Sequence, residues 1–174
     1  MKIIAETNRL ILREFLPTDD KGLFELDSDK EVHRFLGNKP TENIEQSRKA
    51  IEMIRIQYKT NGFGRWALIE KSTNNFLGWS GLKIMKELTN NHKDYCDIGY
   101  RLIRKYWGNG FATESAKASL DYGFEILKLK EIFGSADRNN IASRNVLEKV
   151  GLKYIETFDY EGNQTDWFSV SKPA

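Results

Sequence analysis

The chain has 174 residues, of which 40% are hydrophobic, 12% aromatic and 30% charged. That is the length of one domain, residues 1–174, and the aromatic content excludes a disordered or fibrous chain. Lys and Arg number 27 against 25 Asp and Glu, so a net charge of +2 provides no broad basic field for nucleic acid, and any anionic ligand has to be held locally.

A single cysteine, Cys96, forbids an internal disulfide and leaves no Cys cluster for a metal. The opening residues offer no signal-peptide core, and no uncharged apolar run is long enough to span a bilayer, so the expected location is the cytoplasm, with no membrane partner. In chain order, Arg9 to Phe15 reads as a strand around Leu10, Ile11 and Leu12. Pro17-Thr18-Asp19-Asp20 then makes a turn and N-cap before a short helix over Lys21 to Leu26. Ile44, Ile51, Ile54 and Tyr58 share one helical face, and Asn61-Gly62 stops that helix. Arg65 to Glu70 and Phe76 to Ile84 form a hairpin around Ser72-Thr73-Asn74-Asn75, and a third strand runs from Tyr95 to Ile103.

After Trp107-Gly108-Asn109-Gly110 a helix begins, carrying Phe111, Ala112, Ala116, Leu120, Phe124 and Leu127 at helical spacing, with Glu114 in its first turn. Glu131 to Ala136 is a short strand, and Ile141 to Val150 is a helix that Gly151 ends. Leu152 to Tyr160 and Gln164 to Val170 close the chain as a hairpin about Glu161-Gly162-Asn163. Strands and helices alternate in the manner of an α/β fold: a mixed sheet with helices on both faces.

The strand, glycine turn and helix from Tyr95 to Leu127 carry the chemistry. A helix opened by glycines presents free N–H groups and the positive end of a dipole, which suits an anion. Gly108 and Gly110 admit close backbone approach, Thr113 adds a hydroxyl, and Arg104 and Lys105 add charge. Two glycines that merely shape a tight turn are the plain alternative. A dinucleotide fingerprint fits poorly, since it requires a small residue at Thr113 and an acidic residue ending the next strand, where Glu131 instead begins it. No Gly-Lys-Ser/Thr triplet is present for a triphosphate loop.

The residues Asp97-Ile98-Gly99-Tyr100-Arg101-Leu102-Ile103 and Lys105-Tyr106-Trp107-Gly108-Asn109-Gly110-Phe111-Ala112-Thr113-Glu114 closely resemble the GNAT superfamily of acyl-CoA-dependent N-acetyltransferases. The family pattern there is Gln or Arg, two residues, Gly, one residue, then Gly or Ala. Lys105 fills the first place, keeping the charge but not the planar fork. Asn140-Ile141-Ala142-Ser143 followed by Leu147-Glu148-Lys149-Val150-Gly151-Leu152 resembles the family's later motif, with Leu152 in place of a Phe. Together with Glu6-Thr7-Asn8-Arg9-Leu10-Ile11-Leu12-Arg13, nearly the whole chain resembles the branch that contains the ribosomal-protein N-terminal acetyltransferases RimJ and RimL.

The resemblance implies a mixed, mostly antiparallel, twisted sheet of six to seven strands, and acetyl transfer from acetyl-CoA to a primary amine by direct attack, without a metal. The amine is a protein N-terminus or a small molecule. Leu102, Ile103 and Arg104 match the strand segment that pairs with the pantetheine arm, and a backbone N–H near Ile103 would polarise the thioester carbonyl. Lys105, Gly108, Asn109, Gly110, Phe111, Ala112 and Thr113 match the pyrophosphate loop. Asn140 matches a pantetheine contact and equally suits a helix N-cap, while Ser143 approaches the thioester sulfur or bonds to backbone.

Many members carry a thiolate-protonating tyrosine where this chain has Leu147, so Ser143 or water has to serve instead. Asp97 is the candidate general base, with a solvated strand-end residue as the alternative. The segment Val32 to Tyr58 matches one wall of the acceptor site, and the last two strands are where family members form homodimers. His33 and His92 are expected at the surface, Cys96 as a buried thiol, and Trp66, Trp79, Trp107 and Trp167 in core packing, with Trp79 or Phe35 also candidates to line an acceptor pocket. Two other functions compete: an acyl-CoA-binding module without catalysis, and a nucleotide-binding oxidoreductase, which Thr113 disfavours.

Overall fold

A computed structural model describes residues 1–174. Its strands are β1 (Ile3–Glu6), β2 (Leu10–Arg13), β3 (Arg65–Glu70), β4 (Phe76–Met85), β5 (Tyr95–Leu102), β6 (Glu131–Asp137), β7 (Lys153–Tyr160) and β8 (Asn163–Ser171). Its helices are α1 (Asp20–Asp27), α2 (Ile44–Asn61), α3 (Phe111–Glu125) and α4 (Ile141–Lys149). The strands form one sheet in the order β1-β2-β3-β4-β5-β6-β8-β7, antiparallel throughout except between β5 and β6.

The sheet has eight strands rather than six to seven. The extra one is β1, an edge strand of four residues whose two ends are exposed. An edge strand that buries little has no need of a periodic apolar pattern, so nothing in its sequence announces it.

Period-two alternation divides the core into two layers. Along β3, Trp66 and Leu68 join Leu82, Ile98, Leu120, Phe124, Leu147 and Phe168 in the layer beneath α3 and α4. Ala67 and Ile69 face the other way and pack with Phe15, Leu23, Leu26 and Ile51 beneath α1 and α2. Each helix is bounded by its own chemistry. Asn43 Oδ1 accepts from the Gln46 N–H (3.2 Å) at the start of α2, and Gly62 ends it with a left-handed φ of 81°. The buried Arg13 guanidinium donates to both oxygens of Asp19, each at 2.8 Å, and fixes the chain's entry into α1.

The feature that positions the site is a wedge in the middle of the sheet. Strands β5 and β6 share a single registered pair, Asp97 with Phe133. Beyond it β5 continues along β4 as far as Leu102 opposite Gly78, while β6 follows β8 as far as Asp137 opposite Thr165. The two strands therefore separate from Ile98 and Gly134 onward.

Candidate active site

One wall of the wedge is the free edge of β5. The Ile103 N–H donates to Leu77 O (2.9 Å), so by the alternation of an antiparallel pair the backbone groups of Tyr100 and Leu102 point away from β4, into the wedge. Leu102 O is already met by the Trp107 indole N–H at 2.9 Å. That leaves the Tyr100 N–H and C=O and the Leu102 N–H for an extended ligand. Ile103 cannot share this duty, because its N–H is bound to Leu77 and its C=O accepts from the Tyr106 N–H (2.9 Å). Contrary to the expectation for Ile103 at the pantetheine arm and the thioester carbonyl, its backbone groups are closed to a ligand, and the open ones beside it belong to Tyr100 and Leu102. Trp107 is also not a core residue: it is 47% exposed and stands over the end of the strand.

The wedge leads to the glycine loop. Gly108 and Gly110 adopt φ of 76° and 79°, in the left-handed region that favours glycine, and Gly110 is the N-cap of α3. The first helical bond is Glu114 N–H to Gly110 O (3.0 Å), and none of the N–H groups from Gly108 to Thr113 has an acceptor within the chain. Such groups need a partner, and a row of them at a helix N-terminus fits a pyrophosphate. Phe111 is buried beneath the loop, and Ala112 and Thr113 lie half-buried in the first turn. Asn109 braces the turn by donating from Nδ2 to the carbonyls of Tyr106 and Trp107, both at 3.1 Å. Arg104 and Lys105 turn elsewhere, toward Asp29 (3.1 Å) and Glu25 (2.8 Å) at the end of α1. Neither charge is held over the loop.

The loop is fastened from behind by two residues that the sequence offered only as part of an opening motif. Glu114 accepts from Thr7 Oγ1 (2.5 Å) and Arg9 Nε (2.7 Å), and Arg9 Nη1 donates to Asn109 O (3.0 Å). The Arg9 guanidinium lies 4.5 Å from the Phe111 ring centre. Spacing could not have found this contact, which joins residues more than a hundred positions apart.

Helix α4 supplies the other wall. Asn140 Oδ1 accepts from the Ser143 N–H (3.2 Å), so Asn140 caps α4 and keeps its Nδ2 free. Tyr100 Oη reaches across from β5 to Ser143, 2.8 Å from its carbonyl oxygen and 3.2 Å from Oγ. Leu147, at the place where many members of the resembled family carry a tyrosine, is buried in the core and supplies no proton.

On the opposite face of the sheet lies Asp97. Arg65 stretches from β3 across Gly81 and Gly99, where any side chain would collide with it or with its neighbour Trp66. Its Nη2 is 2.5 Å from Asp97 Oδ2 and its Nη1 donates to Asp97 O (2.9 Å). Asp97 Oδ1 takes no hydrogen bond. Burial raises the Asp97 pKa, against the pull of the Arg65 charge. Tyr95, Phe133, Trp167 and His92 pack together beside it, with ring centres 4.8 to 6.3 Å apart. His92 is therefore held in an aromatic cluster rather than set free at the surface. His33 is likewise buried, with Nε2 3.4 Å from Asp27 Oδ1, and Asp27 also binds Arg101 at 2.7 Å. Trp79 has the guanidinium groups of Arg65 and Arg101 at 5.3 and 5.1 Å from its ring centre. Cys96 is the buried thiol expected of it, its pKa pushed up to about 12 by burial.

A split sheet with a row of unpaired N–H groups at its mouth suits a ligand with an extended arm and an anionic end, and comparison with known proteins identifies the class of the chain. The model of the acetyltransferase (GNAT) domain matches residues 9–153. The uncharacterized N-acetyltransferase YoaA of Bacillus subtilis is 31% identical over 176 residues, covering 98% of this chain and 97% of that one. A GNAT-family acetyltransferase from Bacillus anthracis superposes with a TM-score of 0.80 at 24% identity over 98% of each chain. RimL, a ribosomal alpha-N-protein acetyltransferase in complex with coenzyme A, gives 0.82 at 17% identity over 98% of each chain. The chain belongs to the GNAT acetyltransferase family, and it is an acyltransferase enzyme. No helix is long and apolar enough to cross a membrane.

Proposed function

We propose that this chain transfers an acetyl group from acetyl-CoA to a primary amine, by direct attack while both substrates are bound, and that it stands in the branch containing RimJ and RimL. The carrying observation is that two sets of groups meet the wedge from opposite faces. Asp97 approaches from the side of α1 and α2, and Ser143 with Tyr100 from the side of α3 and α4. Acyl transfer is served by that separation, because it keeps the group that takes the amine's proton apart from the group that meets the charge developing on sulfur.

The roles follow from the free groups. The N–H row from Gly108 to Thr113, with the Thr113 hydroxyl, receives the pyrophosphate. Tyr100 and Leu102 backbone groups and Asn140 Nδ2 hold the extended arm, and the open edge of β5 aligns it as a neighbouring strand would be aligned. Asp97 Oδ1 accepts the proton that the substrate ammonium must lose, through water. Ser143 Oγ faces the sulfur. The substrate supplies the activated acyl group, and the chain supplies alignment, a proton acceptor and dipoles for the developing charges. The acceptor is a protein N-terminus or a small amine that approaches the α1 and α2 face. Leu147 in the tyrosine slot favours a second reading, a module that binds acyl-CoA without turning it over.

Calorimetric titration with acetyl-CoA, with NAD as control, tests the first step. Saturable binding of acetyl-CoA alone is expected, weakened about tenfold or more by Gly108→Asp but little by Gly108→Asn. Both side chains tolerate the left-handed backbone and find open space there, so only the negative charge distinguishes them. Mass detection of acetyl transfer to spermidine, an amino sugar and short peptides then separates enzyme from module. Absence of acetyl-CoA binding by folded protein overturns both.

A further inference from the structure

The Tyr100–Ser143 contact is the only place where a side chain of β5 crosses the wedge to hydrogen-bond α4. Its proton inventory is restrictive. A carbonyl only accepts, so the single Tyr100 proton goes to Ser143 O at 2.8 Å. The 3.2 Å contact with Oγ then runs the other way at rest, with the Ser143 hydroxyl donating to Tyr100 Oη. The Ser143 N–H is fixed by the Asn140 cap, so backbone and hydroxyl are both tethered and Oγ has one place to be.

We propose that Tyr100 is a positioning residue that holds Ser143 Oγ against the sulfur that leaves during acetyl transfer, so that turning the hydroxyl hydrogen alone stabilises the thiolate. This rests on the reading under Proposed function. In the balanced step the amine nitrogen forms a bond to the acyl carbon, the C–S bond breaks and its electron pair stays on sulfur. The proton lost by nitrogen leaves by way of Asp97 and water. Ser143 donates a hydrogen bond to the thiolate and keeps its own proton, so none has to be replaced. Thiolate is a better acceptor than a phenol oxygen, and Tyr100 releases the hydrogen at little cost because Oη continues to donate to Ser143 O. Tyr100 is not the acid itself. Burial pushes its pKa up, which makes a phenolate unfavourable in this site.

Coenzyme A and desulfo-CoA, titrated by calorimetry between about pH 7 and 9.5, test this without an acceptor, because a thiol ordinarily ionises at about 8.5. Desulfo-CoA cancels every titration that does not act on sulfur. The charged neighbours are Arg144 on α4, paired with Asp166 at 2.9 Å, and Arg65, Asp97 and Lys83 on the far face. Burial keeps Cys96 protonated across the window. The advantage of CoA over desulfo-CoA should grow several-fold across that range in the wild type, as a lowering of about one pKa unit on the bound sulfur requires. Ser143→Ala and Tyr100→Phe should each flatten the rise, and 4-aminophenylalanine at position 100, which keeps a polar bridge, should restore it. A rise flattened by Ser143→Ala alone reduces Tyr100 to packing and overturns the inference. So does a flat wild type, or a flat response with 4-aminophenylalanine should Tyr100→Phe fail to fold. If folded wild type binds neither ligand, the functional reading itself falls.

Discussion

Asp97 combines two demands that usually conflict, since one oxygen is committed to Arg65 while the other remains able to take a proton. Removal from water raises its pKa and the Arg65 charge lowers it, with burial the larger effect. A base has to be deprotonated to work, so activity should fall as pH drops through a value above the ordinary 3.8 of this group. In a pH profile of kcat/KM the wild type should show this acid limb. Asp97→Asn should abolish the limb and lower kcat about 10²- to 10⁴-fold, the usual worth of a positioned base. A limb that persists in the variant removes Asp97 from the mechanism.

At the next scale, the turn between β1 and β2 is joined to the first turn of α3 through Glu114. Burial alone would raise the Glu114 pKa, but hydrogen bonds from Thr7 and Arg9 and the Arg9 charge outweigh it and hold the carboxyl below its usual range. A depressed pKa stabilises the fold above the ordinary carboxylate range, and that contribution is lost as pH falls through the lowered value. Glu114→Gln should therefore cost about 1–2 kcal/mol at neutral pH, and urea midpoints of variant and wild type should converge in acid, as pH falls through the lowered value. Equal spacing at both pH values would show that the charge is irrelevant. This junction also marks the limit of what sequence reveals. Strands β3 to β5 and helix α3 are legible because each has a period, a cap or a turn, and Gly108 and Gly110 are legible because a left-handed turn opening a helix favours glycine. The contacts of Arg9 with Asn109, Tyr100 with Ser143 and Arg65 with Asp97 are not, because long-range pairing leaves no local periodicity. The ion pairs of Arg104 and Lys105 are illegible for the same reason: their partners, Asp29 and Glu25, lie just beyond α1 and on it, far away in sequence.

For the molecule as a whole, the wedge is also a seam. The two portions of the sheet, β1 to β5 and β6 with β8 and β7, meet through one registered residue pair, so the backbone ladder that unites other neighbouring strands is nearly missing there. Their union depends on side chains: Ile98, Leu147, Leu152 and Phe168 interlock across it beneath α3 and α4. Packing without a ladder opens more readily than packing with one, so the carboxy-terminal portion should behave as a separate cooperative unit in native-state hydrogen exchange. Amides of β7 and β8 should exchange before those of β3 and β4, and saturating acetyl-CoA should bring the two sets together. Identical protection without ligand would show that the seam does not part. On this view the ligand that fills the gap acts as a suture, completing a sheet that the polypeptide leaves unsewn.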